Sequence, residues 1–173
     1  MRYQAASGFY LNRKAYFMRL LRMGGVFFVL LIAVTALAPH VFVSLLMFIT
    51  SGVLFFALAI VFRNRDTAHL EVFRNPDGEC EFNLKALDFM VNNPSVVYFG
   101  IYDTPEGKRS LRLGIPSGTR IAILEEDVLP ETNLPDVPKF ELPPTVTGKP
   151  VVFQSRGVYP ADLREAASVL GFF

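Results

Sequence analysis

The chain has 173 residues, 51% of them hydrophobic, and a formal charge of +1. That length holds one membrane hairpin and one domain of about 110 residues, an ordinary domain size. A lone cysteine, Cys80, excludes an intramolecular disulfide and gives no sign of an oxidising compartment. The near-zero charge hides a strong polarity. No Asp or Glu precedes Asp66, whereas Arg2, Arg13, Lys14, Arg19, Arg22, Arg63 and Arg65 lie in that stretch, so the first 65 residues carry +7 and the remainder −6. An acidic second part argues against nucleic-acid binding, because the basic residues cluster beside apolar segments where anionic lipid is the expected counter-charge.

Residues 1–22 are Arg-bearing, acid-free and rich in aromatics. They read as a basic amphipathic segment, a short helix lying on the membrane surface, with Phe9, Tyr10, Tyr16, Phe17, Leu20 and Leu21 towards lipid. A mitochondrial presequence has a similar composition, but this one would run straight into an apolar span.

Residues 23–62 contain no charged side chain and are broken only by Pro39-His40. A spanning helix needs roughly 20 apolar residues, so the stretch reads as two transmembrane helices in a tight hairpin. The first is short and borrows a turn from residues 16–23, with Arg19 and Arg22 snorkelling to the interface. The membrane-interface cations are therefore Arg13, Lys14, Arg19, Arg22, Arg63 and Arg65. All flank the outer ends of the hairpin and none lies in its turn, which predicts both termini on one cytoplasm-like or matrix-like side. Candidate helix-packing positions are the small residues Gly25, Ala33 and Ala36 on the first helix and Ser44, Ser51, Gly52 and Ala59 on the second.

From residue 66 onward the pattern becomes short extended runs between Pro/Gly turns, a soluble α+β domain spanning 66–173. Residues 70–74 and 79–84 flank Asn75-Pro76-Asp77-Gly78, a hairpin signal in which Pro presets the turn. Runs at 95–102, 109–115 and 119–124 extend this to a five-strand antiparallel meander. Residues 128–144 carry Pro130, Pro135, Pro138, Pro143 and Pro144, too many for a central strand, and read as a strap across the sheet. A strand pair at 145–147 and 151–154 follows. A helix over 160–170 closes the domain, stopped by Gly171, with Leu163, Ala166, Ala167 and Leu170 as its apolar stripe.

No constellation for catalysis, cofactor binding or metal binding rises above background, and neither an enzyme nor a small-molecule substrate is expected. His40 and His69, the only histidines, fall on opposite sides of the membrane in this topology. Cys80 reads as a small buried residue. Glu125-Glu126-Asp127 could attract a divalent cation, but such sites need several converging oxygens, and a solvated strand end suits the triplet better.

The closing part carries Val128-Leu129-Pro130, Phe140, Gly148-Lys149-Pro150-Val151-Val152-Phe153, Val158-Tyr159-Pro160 and Leu170-Gly171-Phe172. It resembles the C-terminal part of the mitochondrial transmembrane protein seventy family. The resemblance implies a helical hairpin in the mitochondrial inner membrane with both ends in the matrix, and a non-enzymatic role as an assembly factor or accessory subunit of ATP synthase or a respiratory-chain complex. The expected partners are an integral membrane complex through the spans and anionic lipids at the basic flanks. A photosystem-assembly family of chloroplasts and cyanobacteria, and bacterial membrane-attached pleckstrin-homology-like domains, have a similar outline. These would place the chain in a thylakoid or bacterial membrane, as a scaffold or a tethered lipid-handling domain.

Overall fold

The computed structural model describes residues 3–37, 40–86, 89–128, 137–142, 144, 146–155 and 163–172. The chain divides into two compact units: residues 13–66, and residues 1–12 together with 67–173. The first is a pair of antiparallel helices. The second is an eight-stranded mixed sheet with a C-terminal helix.

The helices are α1 (Arg13–Leu37) and α2 (Val41–Arg65), 25 residues each. At 1.5 Å per residue each spans about 37 Å, more than a hydrocarbon core. Neither buries a single residue fully, and both are long and apolar enough to cross a membrane. Their backbone polar groups are satisfied within each helix. The hydroxyls of Thr35 and Thr50 also return to carbonyls one turn back, at Leu31 (2.9 Å) and Leu46 (2.9 Å). This is the accounting an apolar solvent demands.

The sheet has the order β4-β3-β2-β1-β8-β7-β6-β5, with β1 (Tyr3–Leu11), β2 (Thr67–Arg74), β3 (Cys80–Ala86), β4 (Phe89–Asn92), β5 (Tyr98–Asp103), β6 (Arg109–Ser117), β7 (Arg120–Asp127) and β8 (Val151–Ser155). All neighbours are antiparallel except β7 and β8. The sheet curls until β4 approaches β6. Alternate residues point inward: Ala68, Leu70 and Val72 from β2, Phe82 and Leu84 from β3, Leu111, Leu113 and Ile115 from β6, Ala122 and Leu124 from β7. Helix α3 (Leu163–Val169) closes this core with Leu163, Ala166 and Ala167, each large apolar side chain contributing about 2 kcal/mol by burial.

Hairpin, α+β domain and C-terminal helix are thus as expected, with four differences of detail. Residues 3–11 are not an amphipathic surface helix. They form β1, a strand inside the sheet, and α1 starts directly after it at Arg13. Tyr10, expected to face lipid, is fully buried. The five-strand meander divides into β2-β3-β4 and β5-β6-β7, because β1 and the parallel β8 come between them. Strand β4 is additional. Val146 and Thr147 lie outside any strand, so the expected pair reduces to β8 alone; Thr145 lies outside the described residues.

Where it is described, the strap follows the expectation. Pro138 and Phe140 flank Ile101 at the edge of β5, with Ile101 N–H donating to the Pro138 carbonyl (2.8 Å) and Phe140 N–H to the Ile101 carbonyl (2.7 Å). The approach requires Gly100, since a Cβ there would lie 2.6 Å from the Phe140 nitrogen. The Phe140 ring then covers Gly114 and, with Ile121, fills the face of β6 and β7 opposite the core. Residues 129–136 and Pro143 lie outside the described residues. The turn at Asn75–Gly78 closes as read from the sequence, by Asn75 N–H to the Glu79 carbonyl (2.9 Å).

Candidate membrane site

The antiparallel arrangement of α1 and α2 brings all six candidate interface cations to one end of the helix pair: Arg13, Lys14, Arg19 and Arg22 in the first three turns of α1, Arg63 and Arg65 in the last turn of α2. They do not share one role. Arg19 Nη1 lies 3.1 Å from Asp66 Oδ1, and Asp66 is buried, its side chain 6% exposed. Asp66 also caps α2, its N–H donating to the Phe62 carbonyl (2.9 Å). A carboxylate at a helix C-terminus opposes the macrodipole, and the Arg19 guanidinium offsets that cost. Arg19 is therefore a clamp between the helices, where the sequence suggested a snorkelling interface charge. No acidic residue precedes Asp66 in the chain.

The seam between the helices is built from half-buried residues. Tyr16, Leu20, Met23, Phe27, Leu31 and Val34 line it on α1, at spacings of three or four. Ser44, Ser51, Phe55, Leu58, Ala59 and Phe62 line it on α2. Such spacing is that of a left-handed helix pair. The Phe27 and Phe55 rings meet edge to face at 5.8 Å and 84°.

Of the small residues expected to pack the pair, Ser44, Ser51 and Ala59 lie on the seam, whereas Gly25, Ala33, Ala36 and Gly52 are exposed. A Cβ added at Gly25 or Gly52 would meet nothing within 4 Å, while one at Gly24 would touch the Phe55 ring at 3.6 Å. Helix α1 meets its partner mainly with large side chains, against small ones of α2 at Ser44, Ser51 and Ala59 and large ones at Phe55, Leu58 and Phe62. The three-four spacing of those large residues was the signal available in the sequence.

Gly24 and Gly25 floor a shallow apolar groove of about 540 Å³ on α1, walled by Phe17, Leu20, Leu21 and Phe28. A second groove of about 290 Å³ runs along the helix pair, lined by Gly24, Phe27, Phe28, Leu31, Phe48, Ser51, Gly52 and Phe55. Neither holds an ionisable group.

In the sheet domain the polar candidates are used internally. Glu125 is not solvated: its Oε2 accepts from Arg112 Nη2 (2.8 Å) and Nε (3.2 Å), and the Arg112 guanidinium lies 3.3 Å from the centre of the Tyr102 ring. Glu126 Oε2 accepts from the backbone N–H of Leu163 (2.7 Å), capping α3 from β7. Only Asp127 of the triplet is exposed, beside an open cleft of about 420 Å³ lined also by Asp103, Gly107, Lys108, Arg109 and Val128. Within it Asp103 is bound by Arg109 at 3.1 Å. The Cys80 thiol, half-buried, donates to the Val169 carbonyl (3.3 Å), so α3 is held by a side chain of β7 at its start and one of β3 at its end. His69 stacks on Phe9 at 4.2 Å with rings nearly parallel. His40 is exposed at the start of α2. Among the described residues no three His, Cys, Asp or Glu side chains converge as metal ligands.

The architecture defines the class: an α+β domain into whose first strand connection a pair of membrane-length helices is inserted. Compared with known proteins, the chain matches no family model, no curated protein and no solved structure.

Proposed function

We propose that the protein is a non-enzymatic membrane scaffold, an assembly factor or accessory subunit of a respiratory-chain or ATP synthase complex in the mitochondrial inner membrane, with both termini in the matrix. One observation carries the scaffold reading: α1 and α2 expose nearly all their apolar surface, Phe28, Phe42, Phe48 and Phe56 included, while Glu125 and Glu126 of the sheet domain are engaged internally, by Arg112 and by the backbone of α3. Surface of that kind suits lipid and partner helices, and the sheet domain is left to hold a peripheral subunit. The organelle and the complex rest on the resemblance of the last 45 or so residues, and the orientation on the basic flanks.

A second reading, a membrane-attached pleckstrin-homology-like scaffold of a bacterial or thylakoid membrane, draws on α3 packing across β1, β6 and β7 of the curled sheet. Native-gel separation of gently solubilised membranes, followed by crosslinking and mass spectrometry, tests the proposal. Recovery in a large complex with respiratory-chain or ATP synthase subunits is the expected result, and migration solely as a free small species overturns it. Partners from another machine select the second reading.

A further inference from the structure

Strand β5 ends the sheet. It pairs with β6 along its whole length, and no strand of the described residues lies beyond it. Its stretch Tyr98-Phe99-Gly100-Ile101-Tyr102 carries no charge and no proline, but three aromatic residues and a β-branched one. An edge of that composition readily adds another strand.

The strap covers this edge. Lys139 bridges Ile101 in parallel, and the hydrogen bonds of Ile101 with Pro138 and Phe140 engage both of its outward backbone groups. The cover does not pass the ladder on. Pro138 has no N–H to give, Lys139 and Glu141 are exposed and charged, and Pro144 follows. Proline and charge are the means by which a sheet edge is closed. The hold is also local: among the described residues both backbone bonds fall on Ile101, and the side-chain anchors are Val137 against the core and the Phe140 ring over Gly114.

What the strap withholds is self-complementary. Since Ile101 turns its N–H and C=O outward, alternation along the strand turns those of Phe99 outward too and those of Tyr98, Gly100 and Tyr102 towards β6. A second copy laid antiparallel about Gly100 sets Phe99 opposite Ile101, which matches outward groups with outward groups. It also sets Tyr98 opposite Tyr102 and Gly100 opposite its own counterpart, and no charged residue is opposed within the stretch.

We infer that the β5 edge is a pairing surface for a second copy of this chain, held closed by the strap. Release of residues 137–142 from Ile101 lets β5 join β5 of the other copy across a two-fold axis at Gly100. The inference concerns the sheet unit alone and is independent of the membrane and the complex in which the protein serves.

The test uses the full-length chain in detergent, in a Cys80→Ser background. Phe140→Ala removes the ring anchor and leaves β5 intact. Native mass spectrometry at rising concentration is expected to show its mass doubling relative to the parent. Gly100→Cys releases the strap by the backbone clash at Phe140 and also reports the register. Residues opposed in a pair without hydrogen bonds between them have Cα atoms about 4.5 Å apart, within the roughly 4.4–6.8 Å that a disulfide spans. Mild oxidation is expected to link this variant to itself. Tyr102→Cys, combined with Phe140→Ala, lies about 13 Å from its own counterpart in that register, four residues away along the strand, and is expected to stay unlinked.

Equal masses for parent and Phe140→Ala overturn the inference, as does a Gly100→Cys variant that links no better than Tyr102→Cys. Hydrogen exchange covers the remaining outcomes. Protection retained at residue 140 in both strap variants means that other contacts hold the strap. Protection lost throughout the β6–β7 ladder in both means that the strap is part of the core and no cover. Either result also overturns it.

Discussion

Leu11, the last residue of β1, pairs with Thr67, the first residue of β2, and the whole hairpin is inserted between them. Asn12 alone joins β1 to α1, and Asp66 alone joins α2 to β2. A strand pair cannot form across a bilayer, because its two members must lie about 5 Å apart. The β1–β2 ladder therefore demands an even number of crossings between Leu11 and Thr67, whichever membrane the chain occupies.

Site-directed labelling checks this. In a Cys80→Ser background, Ser7→Cys on β1 and Asp77→Cys in the β2–β3 turn, both exposed, are expected to react with an impermeant maleimide from the same side of sealed vesicles. His40→Cys is expected to react only from the other. The basic flanks predict that the shared side is the matrix-like or cytoplasm-like one. Labelling of Ser7→Cys and Asp77→Cys from opposite sides would contradict the ladder.

The Arg112–Glu125 pair is nearly enclosed, its side chains 15% and 7% exposed, so solvent screening is weak. Removing one partner leaves a buried charge, and Glu125→Ala is expected to lower the stability of the sheet domain by roughly 3 kcal/mol. The double variant Arg112→Met/Glu125→Leu, which removes both charges, should recover most of that loss. Denaturant unfolding of the detergent-solubilised chain, followed by circular dichroism, measures both. A double variant no more stable than Glu125→Ala would mean that the Tyr102–Arg112 contact carries more weight than the ion pair.

Gly100 tests the strap. The atoms that a Cβ there would strike, Phe140 N and Cα and Pro138 O at 2.6–2.8 Å, are all backbone and cannot swing aside. Gly100→Ala is expected to detach the strap at a cost of about 1–3 kcal/mol. Hydrogen exchange should show the amides of Ile101 and Phe140 losing protection while those of the β6–β7 ladder keep theirs.

The hairpin was legible because lipid imposes one simple rule, long uncharged runs, and residues 23–62 obey it. The turn at Asn75–Gly78 and the stop at Gly171 were legible because backbone geometry allows few residues there. At Gly171, with φ at +84°, Phe172 N–H reaches the Ala167 carbonyl and Gly171 N–H the Ser168 carbonyl, a Schellman closure.

Strand β1 was hidden for the opposite reason. Its inward residues Ala6 and Gly8 are small, and its outward Phe9 is apolar and stacked on His69, so the period-two contrast is erased. Strand β4 is four residues long, too short to register. On the candidate site, the positions of the cations along the chain were readable, but the separation of Arg19 from its neighbours was not. It depends on Asp66, which is distant in sequence and becomes adjacent only when the helices pair.

The placement of β1 has a consequence for biogenesis. This strand is synthesised first, but its partner β2 does not exist until residues 12–66 have been made, about three to ten seconds later at ordinary elongation rates. Until then β1 has no neighbour on either side, since β8 comes later still. Completion of the sheet is thereby timed to follow synthesis of the hairpin. Until the ladder with β2 closes, β1 offers an unpaired strand edge, the feature by which sheets pair with the wrong partner and aggregate.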